Sequence, residues 1–160
     1  MVTARGTSHP PKPMKRPSRK RLPSERIYSL VEAKVAVDRL AAIIQAEGFS
    51  QQDTFAVRLA MEEALVNAIK HGNVDDPTKH VCLSYQLRVA IPQPKSKCIV
   101  IEIEDQGRGF HPDEVPDPTA PENLERPHGR GLMLMRQFMT WVHFNKQGNR
   151  VTMCKYCSIN

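Results

Sequence analysis

A carboxylate and a carboxamide stand one helical turn apart near the middle of the chain, in the run from Met61 to Gly72. Glu63 and Asn67 are four residues apart, so they lie on one face of a predicted helix. Such a pair could hold a cation, activate a hydroxyl group and orient a phosphate oxygen. Taken alone, the two residues are interpreted more simply as solvated positions on a helix surface.

A second segment, Asp105-Gln-Gly107-Arg-Gly109, begins where an apolar, strand-like run ends. An aspartate at the end of a strand can accept a hydrogen bond from an exocyclic amine such as that of adenine. The two glycines allow the backbone to turn sharply and to approach a ligand closely. By itself the pattern is weak, because a glycine-rich turn after a strand often has no further role.

A third segment, Gly129-Arg130-Gly131, comes immediately before another apolar run with helical spacing. The free backbone N–H groups and the dipole at a helix N-terminus attract phosphate oxygens. Arg126 and Arg130 would add positive charge on either side. Three such segments in one short chain are far more specific than any one of them alone.

The hydrophobic periodicity predicts the elements that must position these segments. Capping pairs at Ser29/Glu32 and Ser50/Asp53 begin two predicted helices, and Gly72 ends the second of them. Strands are predicted at 26–31, 81–91, 99–103, 141–147 and 150–156, and helices at about 33–44, 55–69 and 132–139. The order β-α-α-β-β-loop-α-β-β predicts an α/β two-layer sandwich, mainly an antiparallel sheet with its helices on one face.

Residues 1–24 differ in composition from the rest of the chain. They hold seven of the 23 Lys and Arg residues, five prolines and no Asp or Glu. With little apolar surface to bury, this tail is predicted to be disordered. Residues 25–160 carry 16 basic and 17 acidic residues and are predicted to form one nearly neutral domain. We therefore do not expect a dedicated nucleic-acid binder, although the tail could act as an electrostatic arm for nucleic acid or an acidic partner.

Cysteine usage and hydropathy give the expected compartment. The Cys154-x-x-Cys157 pair has no second pair at ligand spacing, so all four cysteines are predicted to be reduced thiols. No stretch approaches the roughly 20 apolar residues of a membrane span, and the tail lacks the apolar segment of a signal peptide. We expect a cytoplasmic protein without a membrane partner.

The order of the three segments resembles the N box and the two glycine boxes of the GHKL ATP-binding superfamily. The resemblance covers about residues 25–157 and implies the GHKL (Bergerat-type) ATP-binding fold. Within that superfamily, the small size, the absence of a phosphoacceptor-histidine helix pair and the sequence of residues 60–72 resemble the anti-sigma factor serine kinases of the RsbW/SpoIIAB kind. The run that starts at Gly129 fits the same group.

The resemblance implies a role for each matched residue. Glu63 would be the general base that takes the proton from a serine hydroxyl, and Asn67 would coordinate Mg²⁺ between the phosphates of ATP. Asp105 would bind the adenine amino group, with Gly107 and Gly109 shaping that wall of the pocket. This division of roles suits phosphoryl transfer, in which positioning and charge stabilisation supply most of the catalysis.

The resemblance also implies a lid over the nucleotide. The proline-rich, acidic stretch at 106–128 is longer than most structural loops, and its part from about residue 109 would close over ATP. Gly129 and Gly131 would present N–H groups to the phosphates. Arg126 or Arg130 would neutralise charge on the γ-phosphoryl group, and the sequence leaves open which of the two does so.

The leading hypothesis is an ATP-dependent protein-serine kinase that acts as an anti-sigma factor. Such a protein would sequester a sigma factor as a homodimer and phosphorylate a competing anti-anti-sigma (STAS-type) partner on serine. A glutamate at position 63 favours attack by a hydroxyl or by water over phosphorylation of a histidine. The alternative is a non-catalytic nucleotide-binding interaction module that sequesters a regulatory partner. A third hypothesis is a regulator that binds nucleic acid through the tail.

Overall fold

A computed structural model describes residues 23–89, 97–117, 119–123 and 130–157. Three predicted features fall wholly or partly outside the described residues: the tail as far as residue 22, the turn at 92–97 as far as residue 96, and the end of the lid at 124–128. Arg126 and Gly129 also lie outside them. The regular elements are β1 (Ser24–Ile27), α1 (Leu30–Ala46), α2 (Gln51–Val66), β2 (Val81–Val89), β3 (Lys97–Glu104), α3 (Arg130–Phe138), β4 (Trp141–Phe144) and β5 (Arg150–Tyr156). Their order is the one predicted from periodicity, and β1 begins one residue inside the predicted tail.

The five strands form one sheet in the order β1-β2-β3-β5-β4, and every neighbouring pair is antiparallel. Along β3, Ile99, Ile101 and Ile103 are buried in the core that the sheet shares with the helices. The intervening side chains of a strand point to the other face. The predicted α/β two-layer sandwich, with an antiparallel sheet and a layer of helices, is confirmed.

Local hydrogen bonds explain where the first two helices begin. The Ser29 hydroxyl accepts from the N–H of Glu32 at 3.2 Å, and the Ser50 hydroxyl accepts from the N–H of Asp53 at 3.0 Å. The Glu32 carboxylate in turn accepts from the N–H of Tyr28 at 2.8 Å, one residue before the cap itself. Both predicted capping pairs therefore satisfy N–H groups that a helix start leaves unpaired.

One apolar side chain of α2 faces away from the core. Phe55, the first residue of the second predicted helix, is 58% exposed and packs edge-on against Phe138 of α3, with ring centroids 6.2 Å apart. At about 3.6 residues per turn, position 55 lies nearly opposite Val57, which is buried with Met61 in the core. The buried stripe follows these two residues and leaves Phe55 outside it.

The cysteines are distributed over both faces of the sheet. Cys98 and Cys154 form a small buried cluster with Val100 on the face away from the helices, whereas Cys157 packs against the main core. The two cysteines of the Cys154-x-x-Cys157 pair therefore serve different packing layers. Burial raises the pKa of the Cys154 thiol to about 12, so this thiol stays protonated and unreactive at neutral pH.

The helical path of α2 continues beyond its α-helical part. Residues Asn67–Gly72 form a π-helix, in which the N–H of Asn73 bonds to the carbonyl of Ala68 at 2.8 Å. The wider turn carries the chain to Gly72, where the sequence predicted the end of the second helix. Short π-helical segments inside α-helices are frequently found at functional sites. Among the described residues, no helix has the length and apolar character needed to cross a membrane.

Lys155 joins three elements at the end of the helical layer. Its Nζ lies 3.6 Å from the Asp53 carboxylate in the first turn of α2 and donates to the carbonyl of Phe138 at 3.0 Å, at the end of α3. Asp53 is only 2% exposed. A buried carboxylate beside a cation is strongly destabilised when that cation is removed.

We expect Lys155→Ala to lower the free energy of unfolding by about 2 kcal/mol, below the roughly 3–5 kcal/mol of a fully buried pair, because Lys155 keeps some exposure. Chemical denaturation measures this difference. The matched control is Lys97→Ala, which breaks a surface pair with Glu47 at 2.9 Å and is expected to cost less than about 1 kcal/mol. Equal losses in the two variants would show that Lys155 does not secure the helices.

Candidate functional site

The structure brings three of the predicted site residues together at the start of α3. A Cβ atom added to Gly131 would lie 2.5 Å from Oε2 of Glu63 and 3.3 Å from Nδ2 of Asn67. The first turn of α3 therefore rests directly on the carboxylate and carboxamide that α2 and the π-helix present. Glu63 and Asn67 are both half-buried. Both side chains lie on the same helix face, as their spacing predicts, and the structure adds that the first turn of α3 lies against them.

Asp105 lies immediately after β3, against the end of the π-helix. A Cβ atom on Gly72 would lie 2.3 Å from Cγ of Asp105, and one on Gly107 would lie 2.1 Å from the carbonyl oxygen of Gly72. The two backbone segments thus touch, which only residues without a side chain permit. The π-helix that carries Asn67 at its start meets the Asp105 loop at its end, so one continuous wall connects the two groups of site residues.

The main chain and the carboxylate of Asp105 are both held in place. Its N–H donates to the carbonyl of Asn149 at 2.9 Å, and the Asn149 carboxamide donates to the Asp105 carbonyl at 3.1 Å. The N–H of Gly107 donates to Oδ1 of Asp105 at 2.8 Å. Among the residues that the structure describes, no donor bonds to Oδ2, so this oxygen can accept a further hydrogen bond.

Burial raises the pKa of the Asp105 carboxyl above its usual value. The hydrogen bond from Gly107 opposes this increase, and the neighbouring charge of Glu104 adds to it. A buried carboxyl group whose charged form is disfavoured is stabilised by a ligand that donates a hydrogen bond to it. Perturbed carboxyl groups of this kind are more common at functional sites than elsewhere.

Gly109 extends the same loop into the turn between β4 and β5. Its φ is +80°, and an added Cβ would lie 1.8 Å from the carbonyl oxygen of Gln147. Gly148, with a φ of +78°, approaches the carbonyl of Phe110 in the same way. The side-chain oxygen of Asn145 accepts from the N–H groups of this turn and keeps it closed. Gly109 therefore allows the loop after Asp105 to pack closely on the turn between β4 and β5. Unlike Gly131, it does not contact Glu63.

The remaining predicted residues separate into two groups. Arg130 is exposed at the first position of α3, next to Gly131. Arg126 and Gly129 lie outside the described residues, so the choice between Arg126 and Arg130 stays a prediction.

A cavity of about 270 Å³ lies elsewhere, between the start of α1 and the segment after the π-helix. It is lined in part by Asn73 and does not include Glu63 or Asp105.

Two asparagines that were not predicted from the sequence support the Asp105 loop. Asn73 is 3% exposed, and its carboxamide bonds to the backbone of both His80 and Gln106. Asn149 bonds to Asp105 as described above. Asn73 follows the glycine that ends the π-helix, and Asn149 follows a glycine within the turn between β4 and β5. An asparagine at such a position can bond to the neighbouring backbone. That signal is visible in the sequence but does not show which distant loop the side chain reaches.

We expect Gly107→Ala to lower the free energy of unfolding by about 2 kcal/mol, because the new methyl group overlaps a backbone oxygen that cannot easily move. Gly131→Ala is the control: its methyl group meets only the ends of two flexible side chains, and alanine gains up to about 1 kcal/mol of helix propensity. Denaturation should therefore show a clear loss for Gly107→Ala and none for Gly131→Ala. Similar values for both would contradict the close contact between Gly72 and Gly107.

The chain is similar in sequence to known proteins. Residues 29–155 match the histidine kinase-like ATPase domain. Over 124 residues, 73% of this chain and 74% of the relative, the sequence is 27% identical to the serine-protein kinase RsbW of Oceanobacillus iheyensis. The resemblance to the GHKL superfamily and to its anti-sigma factor kinases is thereby confirmed. The chain belongs to the histidine kinase-like ATPase domain family, a family of ATP-binding domains.

Proposed function

We propose that this protein is an ATP-dependent protein-serine kinase that acts as an anti-sigma factor. The observation that supports the proposal most directly is the position of Glu63, a carboxylate half-buried beside Asn67 and under the first turn of α3. A carboxylate next to a phosphate-binding helix N-terminus can serve as a base for a hydroxyl nucleophile. The similarity to a serine-protein kinase supports the same acceptor chemistry.

In the proposed reaction, Asp105 accepts a hydrogen bond from the 6-amino group of adenine, and the glycines at 107 and 109 shape the wall around the base. The N–H groups at the start of α3, those of Gly129 and Gly131, bind phosphate oxygens. Glu63 takes the proton from a serine hydroxyl of the protein substrate. The serine oxygen then forms a bond to the γ-phosphorus as the bond to the β–γ bridging oxygen breaks, and ADP leaves.

Asn67 is the residue that we propose to hold Mg²⁺. Among the described residues, no three His, Cys, Asp or Glu side chains converge as a metal site, so a bound ion would take most of its ligands from phosphates and water. The carboxamide oxygen of Asn67 fits this role, since Mg²⁺ at nucleotide sites commonly uses only one or two protein ligands. When bound, the ion neutralises charge on the phosphates. Arg130, or Arg126, would neutralise the γ-phosphoryl group.

We propose that the partners are a sigma factor and an anti-anti-sigma protein of the STAS type, and that the protein works as a homodimer in the cytoplasm. The name of the RsbW relative supports the kinase activity, and the partner classes follow from the resemblance given above. The domain would comprise residues 25–160, with residues 1–24 as a separate basic tail. Deleting residues 1–23, which leaves β1 intact, would leave the kinase activity unchanged in this scheme.

The test is phosphate transfer from γ-labelled ATP to purified STAS-domain proteins from the same genome. We expect one of these proteins to be labelled on serine, and the unlabelled form to compete with a sigma factor for this protein. ATP binding without transfer to any STAS protein would instead support the non-catalytic interaction module. Binding of nucleic acid that is lost with the tail and falls steeply with salt would support the third hypothesis.

A further inference from the structure

Asn73 is a buried carboxamide that no role in the proposed reaction accounts for. It is 3% exposed and lies one residue after the π-helix. Its Nδ2 donates to the carbonyl of His80 at 3.0 Å, and its Oδ1 accepts from the N–H of Gln106 at 2.8 Å. The first bond closes the connecting segment at 73–80, and the second reaches Gln106, 33 residues away in sequence. A buried amide whose oxygen and nitrogen both have partners fixes the segments that it joins.

The bond to Gln106 acts on the peptide that directly follows Asp105. Asn149 holds the N–H and the carbonyl of Asp105 itself. The carbonyl of Asp105 and the N–H of Gln106 belong to one peptide group. Asn73 therefore holds the N–H end of the peptide group whose carbonyl Asn149 holds, on the side that faces the π-helix. The Gln106 side chain completes a reciprocal clamp, because its Oε1 accepts from the N–H of His80 at 2.7 Å.

The direction of the Asp105 carboxylate depends on this clamp. Its Oδ1 is bound to the N–H of Gly107 at 2.8 Å, and its Cγ packs on the backbone of Gly72. If the peptide between Asp105 and Gln106 rotates, the Gly107 N–H moves with it, and Oδ2 no longer points in a fixed direction. Hydrogen bonds that discriminate between ligands require such fixed geometry.

We propose that Asn73 is a positioning residue for base selection: its carboxamide fixes the backbone after Asp105 and thereby directs the Asp105 carboxylate toward the 6-amino group of the nucleotide base. This inference rests on the proposed adenine-binding role of Asp105. Asn73 does not touch the base, and its effect is on which base is accepted.

The experiment compares the dissociation constants of ATP and of inosine triphosphate, which carries a 6-oxo group in place of the amino group. The ratio of the two constants is the useful quantity, because partial unfolding weakens both ligands equally and leaves the ratio unchanged. We expect the wild type to prefer ATP by about 10- to 100-fold, as is typical of one hydrogen bond to a charged group. Asp105→Asn should abolish or reverse the preference, because its NH₂ group can donate to the 6-oxo group, and Asn73→Ala should reduce it several-fold.

A second variant keeps the test valid if Asn73→Ala does not fold. Gln106→Ala removes the exposed half of the clamp and should reduce the preference in the same direction, but by less. Thr78→Ala is the matched control: it removes an exposed hydrogen bond to Asp76 in the same connecting segment and should leave the ratio at the wild-type value. In the Asp105→Asn background, Asn73→Ala should have no further effect on the ratio.

The two ways of failing are distinguishable. If Asp105→Asn changes the ratio but Asn73→Ala and Gln106→Ala do not, Asn73 only stabilises the fold and the inference is wrong. If Asp105→Asn itself leaves the ratio unchanged, the proposed binding of the adenine amino group is wrong, and the role of Asn73 falls with it.

Discussion

Asp105→Asn is expected to abolish the rise in melting temperature that ATP produces in the wild type. At a concentration of about 100 times its dissociation constant, a ligand adds roughly 2.7 kcal/mol to the free energy of unfolding. For a domain of this length, that corresponds to about 5–10 °C. The variant should lose most of this rise, with Mg·ATP and with Mg·ADP alike.

The reason lies in the hydrogen bonds that the side chain must make. The N–H of Gly107 already occupies one oxygen of Asp105 at 2.8 Å. An asparagine has one oxygen, and if that oxygen accepts from Gly107, the amide NH₂ group faces the base. It would then meet the 6-amino group of adenine, which is also a donor. In the opposite orientation, the NH₂ group would meet the Gly107 N–H, so either orientation loses one hydrogen bond.

Without nucleotide, the same variant is expected to be more stable than the wild type at neutral pH. The pKa of Asp105 is raised in the folded protein, mainly by burial. The folded state therefore binds the proton more tightly than the unfolded state, and protonation of Asp105 stabilises the fold. This stabilisation is complete below the unfolded pKa of about 3.8 and is lost as pH rises through the folded pKa. Because asparagine does not titrate, the advantage of the variant should appear over that pH range and persist above it.

Glu102→Gln is the matched control for the loss of the ATP-induced rise in melting temperature. Glu102 lies in β3, the strand that Asp105 follows; it is also partly buried and accepts a hydrogen bond from Thr152 on the face of the sheet away from the helices. The same loss of charge there should leave the ATP-induced rise intact. A full rise in Asp105→Asn, or an equal loss in Glu102→Gln, would contradict the role proposed for Asp105.

The parts of the site that the sequence predicts are those that depend on local geometry. The spacing of Glu63 and Asn67 places them on one helix face because an α-helix repeats every 3.6 residues. Alternation along 99–103 predicts a strand, and Asp105 then lies just beyond its end; the observed strand is β3. The same patterns led to the family assignment, and the match of residues 29–155 to the histidine kinase-like ATPase domain confirms it.

The parts that the sequence does not predict depend on contacts between distant segments. The π-helix at Asn67–Gly72 has the same apolar pattern as an α-helix, so periodicity cannot reveal it. Asn73 and Asn149 resemble ordinary turn residues until the fold brings both to the Asp105 loop. Phe55 shows the same limit at a helix end, where an apolar residue faces away from the core.

Glu63→Gln is expected to separate catalysis from binding. The glutamine keeps the size of the side chain and its place under Gly131, so the ATP-induced rise in melting temperature should remain. It cannot accept the serine proton, and the loss of a general base lowers the rate of the chemical step by about 10²–10⁴-fold. Single-turnover transfer of labelled phosphate to the STAS-type partner measures this rate.

The neighbouring Glu62 supplies the control that makes the result specific to one position. Glu62 lies on another side of the helix, with its carboxylate 3.9 Å from Arg58 at the surface, and Glu62→Gln makes the same chemical change there. Transfer should be within about twofold of the wild-type rate, since a surface pair contributes less than about 1 kcal/mol. If Glu63→Gln keeps the wild-type rate as well, the carboxylate is not the base. If it loses ATP binding together with transfer, Glu63 acts in holding the nucleotide, and the hydroxyl must lose its proton to another group.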